Sequence, residues 1–266
     1  MALDRNLIFD FGMFDGADTA FYLAKGFKVV ALEARPDLAH AAQSRFTAAI
    51  AGGRLTIVNN ALWSEAGRQI PFYVRSGWSS VYASSAERDG RAAEAVIEVE
   101  TITVAELFGR FGVPHYVKID IEGGDRIALE QIAREPERPN FVSVEDHTGG
   151  LIPHLLACGY DRFQFSNQGM LRQNKDQRPS REGCSARFSG NCSGLFGYDL
   201  PKSRWVTAER LAEQIASWQA IRNKRFINPT QYALRKWGKL TGRGWLYGGG
   251  WLDIHATRAL TLQIGV

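Results

Sequence analysis

The chain has 266 residues, of which 45% are hydrophobic and 23% are charged, and its formal net charge is +4. These values are ordinary for a soluble globular enzyme built as one large domain, or as one domain with an appendage. No apolar run reaches the ~18–20 residues that are needed to span a bilayer, which argues against a membrane-spanning segment.

The cellular compartment is predicted from two further features. The first strand is predicted to begin at residue 7, which leaves no room for a signal peptide. The three cysteines, Cys158, Cys184 and Cys192, lack the C-x-x-C spacing of a zinc or redox site. We therefore expect a cytoplasmic protein with reduced thiols, with a Cys184–Cys192 bridge as the minor alternative.

Residues 7–19, LIFDFGMFDGADT, contain the first informative pattern. An apolar strand over 7–11 is followed by a turn with two glycines and then by a helical stretch over 17–25. Glycines let the backbone approach a ligand closely, and the free N–H groups of a helix start point at what is bound. The order predicts a cradle for a nucleotide-like ligand, although the spacing G-x-x-x-G differs from the dinucleotide fingerprint.

The second predicted strand, residues 27–32, ends in Glu33. An acidic residue at the end of the second strand, about 20 residues after the glycine turn, suits a ribose diol. A carboxylate can accept hydrogen bonds from both hydroxyl groups. The simpler alternative is a solvated residue at the end of a strand.

Alternating strands and helices continue along the chain. Strands are predicted at 54–58, 69–74, 95–103, 115–121, 141–144 and 160–166, and helices at 37–50, 104–111, 126–133 and 151–158. This alternation is typical of an α/β fold with a mainly parallel sheet and helices on both faces. Ligands bind such sheets at the carboxyl ends of the strands, where the polar residues are Asp10, Gly12, Glu33, Asn60, Asp120, Glu122, Glu145 and His147.

Residues 118–123, KIDIEG, resemble a signature of the FkbM-type methyltransferases, which are S-adenosylmethionine-dependent class I enzymes. DFGMFDGADT and VVALEARP resemble the first two cofactor motifs of that family. The segments NNALW, GWSSV and SVEDH are similar to later motifs, and GYDRFQFSNQG, SGLFGYDL and WLDIHA are similar to C-terminal features of one subgroup. One departure is that many members carry Gly-Ala-Asn where this chain has Gly12-Met13-Phe14, so Asp15 would have to replace the contact of that Asn.

The resemblance implies a Rossmann-like class I methyltransferase fold with S-adenosylmethionine in the strand-end cleft. Glu33 would take the ribose hydroxyls, Asn60 would lie near the adenine, and Asp120 would lie under the sulfonium, whose charge it favours. The whole cofactor set that the resemblance implies is Asp10, Gly12, Asp15, Gly16, Asp18, Thr19, Glu33, Ala34, Asn60, Ala61, Ser79, Ser80 and Asp120.

Methylation of an alcohol needs a base or a cation, because an alcohol is a poor nucleophile at neutral pH. We take His147 as the candidate base, with Glu145 orienting it and Glu122 completing the catalytic set; a surface histidine is the alternative. A second hypothesis makes Asp120, Glu122, Glu145 and His147 ligands of Mg²⁺ or another divalent ion. We do not favour a metal, since cofactor binding also explains the acidic cluster. The role of Lys118 stays open between snorkelling, pairing with a strand-end acid and contact with substrate.

Two units are predicted: a cofactor-binding core over 1–168 and a C-terminal extension over 169–266 that caps the acceptor side. The extension contains a polar loop or lid over 167–191 and an amphipathic helix over 207–225. Residues 222–251 then interleave basic and aromatic side chains. This mixture suits an anionic sugar, single-stranded nucleic acid or a membrane surface with lipid-linked glycan; a solvated basic face is the simplest interpretation.

The predicted function is O-methylation of a hydroxyl on a sugar of a glycan, glycolipid or glycosylated metabolite, the choice of sugar resting on family analogy alone. The acceptor is then a small molecule or glycan, with an anionic or lipid-linked one as an option, and nucleic acid is not expected. The alternatives are N- or C-methylation of another small molecule, and a non-catalytic glycan- or nucleic-acid-binding protein on a methyltransferase fold. A dinucleotide-dependent oxidoreductase is disfavoured for two reasons. The third glycine of the G-x-G-x-x-G fingerprint is missing, and the acidic Asp120 occupies a position where such an enzyme should have a cation.

Overall fold

The computed structural model describes residues 2–75, 79–83, 93–167, 179–187, 192–222 and 252–264. Within these ranges, no helix combines the length and apolar character that crossing a membrane requires. The basic and aromatic stretch over 223–251, together with most of the predicted loop over 167–191, lies outside the described residues.

Ten strands and eight α-helices are assigned in the described ranges. The strands are β1 (Leu3–Phe11), β2 (Lys28–Leu32), β3 (Leu55–Val58), β4 (Ala61–Leu62), β5 (Gln69–Val74), β6 (Ala95–Ile102), β7 (Val113–Ile119), β8 (Phe141–Glu145), β9 (Arg162–Asn167) and β10 (Leu252–Thr257). The helices are α1 (Ala17–Ala24), α2 (Pro36–Arg45), α3 (Thr47–Ala51), α4 (Val104–Phe111), α5 (Asp125–Ile132), α6 (Ile152–Ala157), α7 (Ala208–Arg222) and α8 (Ala259–Ile264).

The main sheet has seven strands in the order β3-β2-β1-β7-β8-β10-β9. Neighbouring strands are parallel from β3 to β8, whereas β10 runs antiparallel to both β8 and β9. This arrangement confirms the predicted α/β fold with a mainly parallel, Rossmann-like sheet. Because β10 is reversed, its first residues lie at the edge where the parallel strands end.

Each face of the main sheet is covered by its own hydrophobic cluster. Side chains alternate between the faces of a strand, so Phe9 and Phe11 of β1 pack into one cluster and Ile8 into the other. Strands buried on both faces are near-continuously apolar, which explains why β1, β2 and β7 are readable in the sequence.

A small second sheet, in the order β4-β6-β5, differs from the single parallel sheet suggested by the alternation. β5 and β6 form an antiparallel pair, and β4 joins β6 in a short parallel pairing. Phe72 of β5 and Val99 of β6 form a buried cluster with Ala61 of β4, while β6 is exposed at Glu98 and Glu100. This sheet stands beside the ends of β2 and β3 and forms a side wall there.

The predicted helix over 37–50 is two helices, α2 and α3, that meet at Phe46. α2 begins one residue earlier than predicted, with Arg35 at the N-cap position and Pro36 at the first helical position. Proline is favoured there because its missing N–H would have no partner in the first turn.

The C-terminal part of the chain is docked on the core through buried polar contacts. Lys25 Nζ lies 2.8 Å from Asp199 Oδ2, with both side chains fully buried. His115 Nε2 lies 3.0 Å from Glu182 Oε1 in a second buried contact. Since β10 also lies inside the main sheet, residues after 168 contribute to the core, and the division at 168 stays a prediction. All three cysteines are free thiols.

Candidate active site

A cavity of about 690 Å³ opens at the carboxyl edge of the main sheet. Five lining positions on neighbouring strands are in register with one another along this edge. In sheet order they are Glu33 after β2, Gly12 after β1, Asp120 after β7, Glu145 at the end of β8 and Asp253 near the start of β10. Neighbouring strands are ~4.8 Å apart, so these five positions form a row that crosses the edge. Volumes of this size are typical of small-molecule sites.

Most of the predicted site residues meet in this cavity. Those that line it are Gly12, Asp15, Asp18, Glu33, Ala34, Asn60, Ala61, Ser79, Asp120, Glu122 and Glu145. The prediction that the carboxyl ends of several strands build one pocket is thus supported by their placement. Their individual roles in binding or catalysis stay predictions.

Four predicted cofactor residues support the cavity from outside its lining. Asp10 is fully buried and accepts a 2.6 Å hydrogen bond from the Thr19 hydroxyl. Gly16 is the N-cap of α1 with φ +73°, and a Cβ there would come 2.8 Å from the Phe46 ring. Ser80 donates a 2.6 Å hydrogen bond to the carbonyl of Glu122. These residues position the loops that line the cavity.

The turn after β1 is held close to β2 and β7. The N–H groups of Gly12 and Met13 both donate to the carbonyl of Leu32, at 2.9 and 3.1 Å. Gly12 has φ +81°, and a Cβ atom on it would overlap the carbonyl oxygen of Asp120. Only glycine satisfies both conditions, since a side chain would be strained at this φ and would push β7 away. Asp15 accepts a 2.9 Å hydrogen bond from the N–H of Ala17, which caps the start of α1.

Glu33 is 7% exposed and has its carboxylate fixed by two backbone donors. Oε2 accepts the N–H of Phe14 at 2.8 Å, and Oε1 accepts the N–H of Arg35 at 2.9 Å. Burial raises the pKa of this carboxyl above its ordinary value, while the two backbone hydrogen bonds oppose that rise. Each carboxylate oxygen has a second lone pair, so Glu33 can still accept hydroxyl groups from the cavity.

Lys118, whose role the sequence left open, pairs with several acids. Its ammonium nitrogen lies 3.4 Å from carboxylate oxygens of Asp18 and Asp120 and 3.7 Å from Asp10 Oδ1. Burial opposes the charged form of Lys118, but the three carboxylates together raise its pKa above the ordinary value. Burial raises the pKa of Asp10 to about 6, although Lys118 lowers it. One buried cation therefore holds together three acids from β1, α1 and the end of β7.

A segment beyond the core strands closes the Asp18 side. Ser193 donates its backbone N–H at 2.7 Å and its hydroxyl at 2.9 Å to the two carboxylate oxygens of Asp18, and it also lines the cavity. The thiol of Cys192 lies 3.2 Å from the same carboxylate. Sequence reasoning missed Ser193, since a serine in an irregular stretch carries no distinctive spacing.

The three predicted catalytic residues do not all line the cavity. Glu122 and Glu145 line the cavity, whereas His147, which the structure also describes, is not among the lining residues. The backbone carbonyl of His147 accepts a 2.7 Å hydrogen bond from Gln219 of α7. Asp120, Glu122 and Glu145 can bring one carboxylate oxygen each within 4.8 Å of one another. Exposed acids cluster in this way in many proteins without a metal, so we assign no ion to them.

The C-terminal strand supplies an acid that the prediction did not include. Asp253 of β10 lines the cavity and is 6% exposed. The available signal was a lone acid in an apolar strand, WLDIHA, since such a residue must face either a partner or a pocket. His255, two residues on, is buried, and its ring nitrogens have no hydrogen-bond partner among the described residues. Burial lowers the pKa of His255 to about 3, so its imidazole is neutral.

Comparison with known proteins identifies a family for this region. The profile of the methyltransferase FkbM domain matches residues 10–161, which is more than half of the chain. None of the curated protein sequences matches the chain significantly.

Several solved structures resemble the fold at low sequence identity. A precorrin-6y C5,15-methyltransferase from Geobacter metallireducens is 13% identical with a TM-score of 0.35, over 63% of this chain and 72% of that one. An O-methyltransferase from Bacillus cereus in complex with SAH is 16% identical with a TM-score of 0.27, over 54% of this chain and 50% of that one. A chain described as StiE O-MT, residues 961–1257, is 10% identical with a TM-score of 0.39, over 98% of this chain and 72% of that one.

Proposed function

The chain belongs to the FkbM methyltransferase family, and from this premise we propose that it transfers the methyl group of S-adenosylmethionine to a hydroxyl group. We propose a sugar of a glycan, glycolipid or glycosylated metabolite as the acceptor. The observation that carries the proposal is the cavity at the carboxyl edge of the sheet, where Glu33 and Asp120 lie on either side of Gly12.

The chemistry of this cavity fits S-adenosylmethionine. Gly12 lines the cavity, and because a Cβ on it would overlap the Asp120 carbonyl, glycine here keeps the ends of β1 and β7 close together beside the ligand. Glu33, fixed by two N–H donors, presents a carboxylate to a ribose diol. Phe72 and Leu38 add apolar lining beside Asn60, which suits an adenine ring. We propose that these residues hold the nucleoside half of the cofactor.

The opposite end of the cavity suits the charged half of the same molecule. We propose that Asp120, at the end of β7, lies under the sulfonium, where its negative charge favours the cationic methyl donor over the neutral product. Asp18, which shares Lys118 with Asp120, and Ser193, which donates to Asp18, lie at this end, and Asp15 also lines the cavity. S-adenosylmethionine supplies an already electrophilic methyl group, so the chain has to align the acceptor, exclude water and accept a proton.

The acceptor side of the cavity is proposed to lie at Glu145 and Asp253. Their carboxylates accept hydrogen bonds from hydroxyl groups, which supports a polyhydroxylated acceptor more than an anionic one. Asp253 and Ser193 come from the part of the chain after residue 168, which supports the proposal that this part completes the acceptor cleft.

Calorimetry with S-adenosylhomocysteine and with NAD tests the cofactor, and labelled-methyl transfer from S-adenosylmethionine tests the reaction. The acceptor panel contains methyl glycosides of several hexoses, a catechol and a primary amine. We expect S-adenosylhomocysteine but not NAD to bind, and label to enter a glycoside. Asp120→Asn should weaken turnover, while Glu98→Gln, which changes an exposed carboxylate of β6 that does not line the cavity, should not. Binding of NAD alone would refute the cofactor, and label in the amine alone would refute O-methylation.

A further inference from the structure

The last strand of the sheet brings a buried acid to the cavity from outside the family match. β10 is antiparallel to β8, and Asp253 stands directly opposite Glu145 and, on its other side, Ser166. Because β10 is reversed, this position near its start lies at the carboxyl edge of the parallel strands. The side chain is 6% exposed and still borders the cavity, so its carboxylate faces the binding space rather than bulk solvent.

The row along the sheet edge separates Asp253 from the proposed cofactor positions. Glu33, Gly12 and Asp120 follow the neighbouring strands β2, β1 and β7, and Glu145 and Asp253 continue the row on β8 and β10. The strand of Asp253 is two strand spacings, or about 10 Å, from that of Asp120. A group at this distance from the sulfonium end can contact an acceptor that stands between them.

Three other carboxylates of the lining make contacts that hold the cavity wall in place. Asp18 accepts two hydrogen bonds from Ser193, and Glu33 accepts two from backbone N–H groups. Asp120 lies 3.4 Å from the ammonium of Lys118.

Asp253 lies in a buried environment with several other acids nearby. Burial raises the pKa of its carboxyl well above the ordinary value, and the charges of Asp120, Glu145 and Asp18 raise it further, while Lys118 lowers it. These four groups come from β7, β8 and α1, the elements around the cavity. A base is most effective when its proton affinity is close to that set by the working pH.

We propose that Asp253 is the general base of the reaction and accepts the proton of the acceptor hydroxyl. This inference rests on the proposed methyl transfer to a hydroxyl. The acceptor oxygen gains the methyl carbon, the electron pair of the broken carbon–sulfur bond stays on sulfur, and the hydroxyl proton passes to a carboxylate oxygen of Asp253. The neutral carboxylic acid returns the proton to solvent after the product leaves.

The test compares Asp253→Asn, Asp253→Glu and the control Glu98→Gln on whichever member of the acceptor panel is methylated. Removing a general base costs about 10²–10⁴-fold in rate, so we expect a kcat loss in that range for Asp253→Asn. Affinity for S-adenosylhomocysteine should stay within about threefold of wild type, since Asp253 stands on the acceptor side. Wild-type kcat should rise with pH as Asp253 ionises, Asp253→Glu should retain a rising limb, and Asp253→Asn should lose it.

A second readout needs no acceptor. The folded-state pKa of Asp253 is raised, so the stability that this group contributes is present at low pH and is lost as the pH rises through that pKa. Asp253→Asn should therefore lose less unfolding free energy than wild type between pH 5 and pH 8.

The outcomes distinguish this inference from the proposed function. Methylation of the catechol alone would refute the sugar acceptor and leave the Asp253 comparison in place on that phenol. The inference is overturned if Asp253→Asn keeps wild-type kcat, or if its loss of rate is matched by loss of S-adenosylhomocysteine binding. It is also overturned if the variant has the same pH dependence of unfolding as wild type.

Discussion

Replacement of Lys118 by methionine removes one buried charge and leaves the shape of the side chain almost unchanged. The ammonium of Lys118 lies 3.4–3.7 Å from carboxylate oxygens of Asp10, Asp18 and Asp120. In Lys118→Met these three acids would face one another without a cation. Removing one partner of a buried ion pair costs about 3–5 kcal/mol, because the remaining charge is left uncompensated. We expect a loss of unfolding free energy in that range at pH 7.5.

The sign of the pH dependence follows from Asp10. Its pKa is about 6 in the presence of Lys118, which lowers it. Without Lys118, the folded-state pKa of Asp10 rises further above the unfolded value. A raised folded-state pKa means that stability is present at low pH and is lost as the pH rises through that pKa. The deficit of Lys118→Met should accordingly be smaller at pH 5 than at pH 7.5.

Urea unfolding of wild type, Lys118→Met and Lys28→Met at both pH values measures this. Lys28 is an exposed lysine at the start of β2, so its replacement controls for the loss of one positive charge. A deficit for Lys118→Met that is within 1 kcal/mol of the Lys28→Met deficit would refute the reasoning, and so would a deficit that grows on acidification.

Three further predictions concern binding and turnover. Glu33→Gln should weaken S-adenosylhomocysteine binding about tenfold or more in calorimetry, because hydrogen bonds to a charged group contribute about 1.5–3 kcal/mol; unchanged affinity would remove Glu33 from the ribose. Gly12→Ala should lose more unfolding free energy and more affinity for S-adenosylhomocysteine than the control Gly26→Ala. Both glycines have positive φ, at +81° and +94°, but only at Gly12 would the added Cβ meet the backbone of Asp120. The turnover of His147→Ala should stay within about threefold of wild type, with or without EDTA, because His147 lies outside the lining. A loss of about two orders of magnitude in this variant would restore His147 as the base. A loss of turnover that appears only when EDTA is added would indicate a metal.

The carboxyl edge of the sheet was predictable because its signals are local. Each of β1, β2 and β7 is an apolar run that ends in a polar residue or a glycine, and parallel strands must place those ends together. Glu33 and Asp120 could be assigned to one edge from this rule alone. The family signature at 118–123 added the chemistry of the ligand, which spacing could not supply.

The residues that the sequence did not reveal depend on non-local geometry. β10 is far along the chain from the strands it joins, and no local pattern specifies that it inserts between β8 and β9. Its reversed direction, which sets the position of Asp253, is likewise a property of the assembled sheet. Lys118 was ambiguous because its three partners come from different elements. His147 follows a strand directly, yet the chain turns it away from the lining, which position in the sequence does not encode.

The order of strands in the sheet also separates the two halves of the proposed reaction. The ends of β2, β1 and β7 belong to the region matched by the family profile, and they border the half of the cavity that we propose for the cofactor. β10 lies beyond that region and borders the other half. If members of the family share the cofactor and differ in the acceptor, the residues that determine which acceptor binds should lie mainly in the later part of the chain. Asp253 then joins the two halves, because it belongs to the variable part but must meet the oxygen that receives the methyl group.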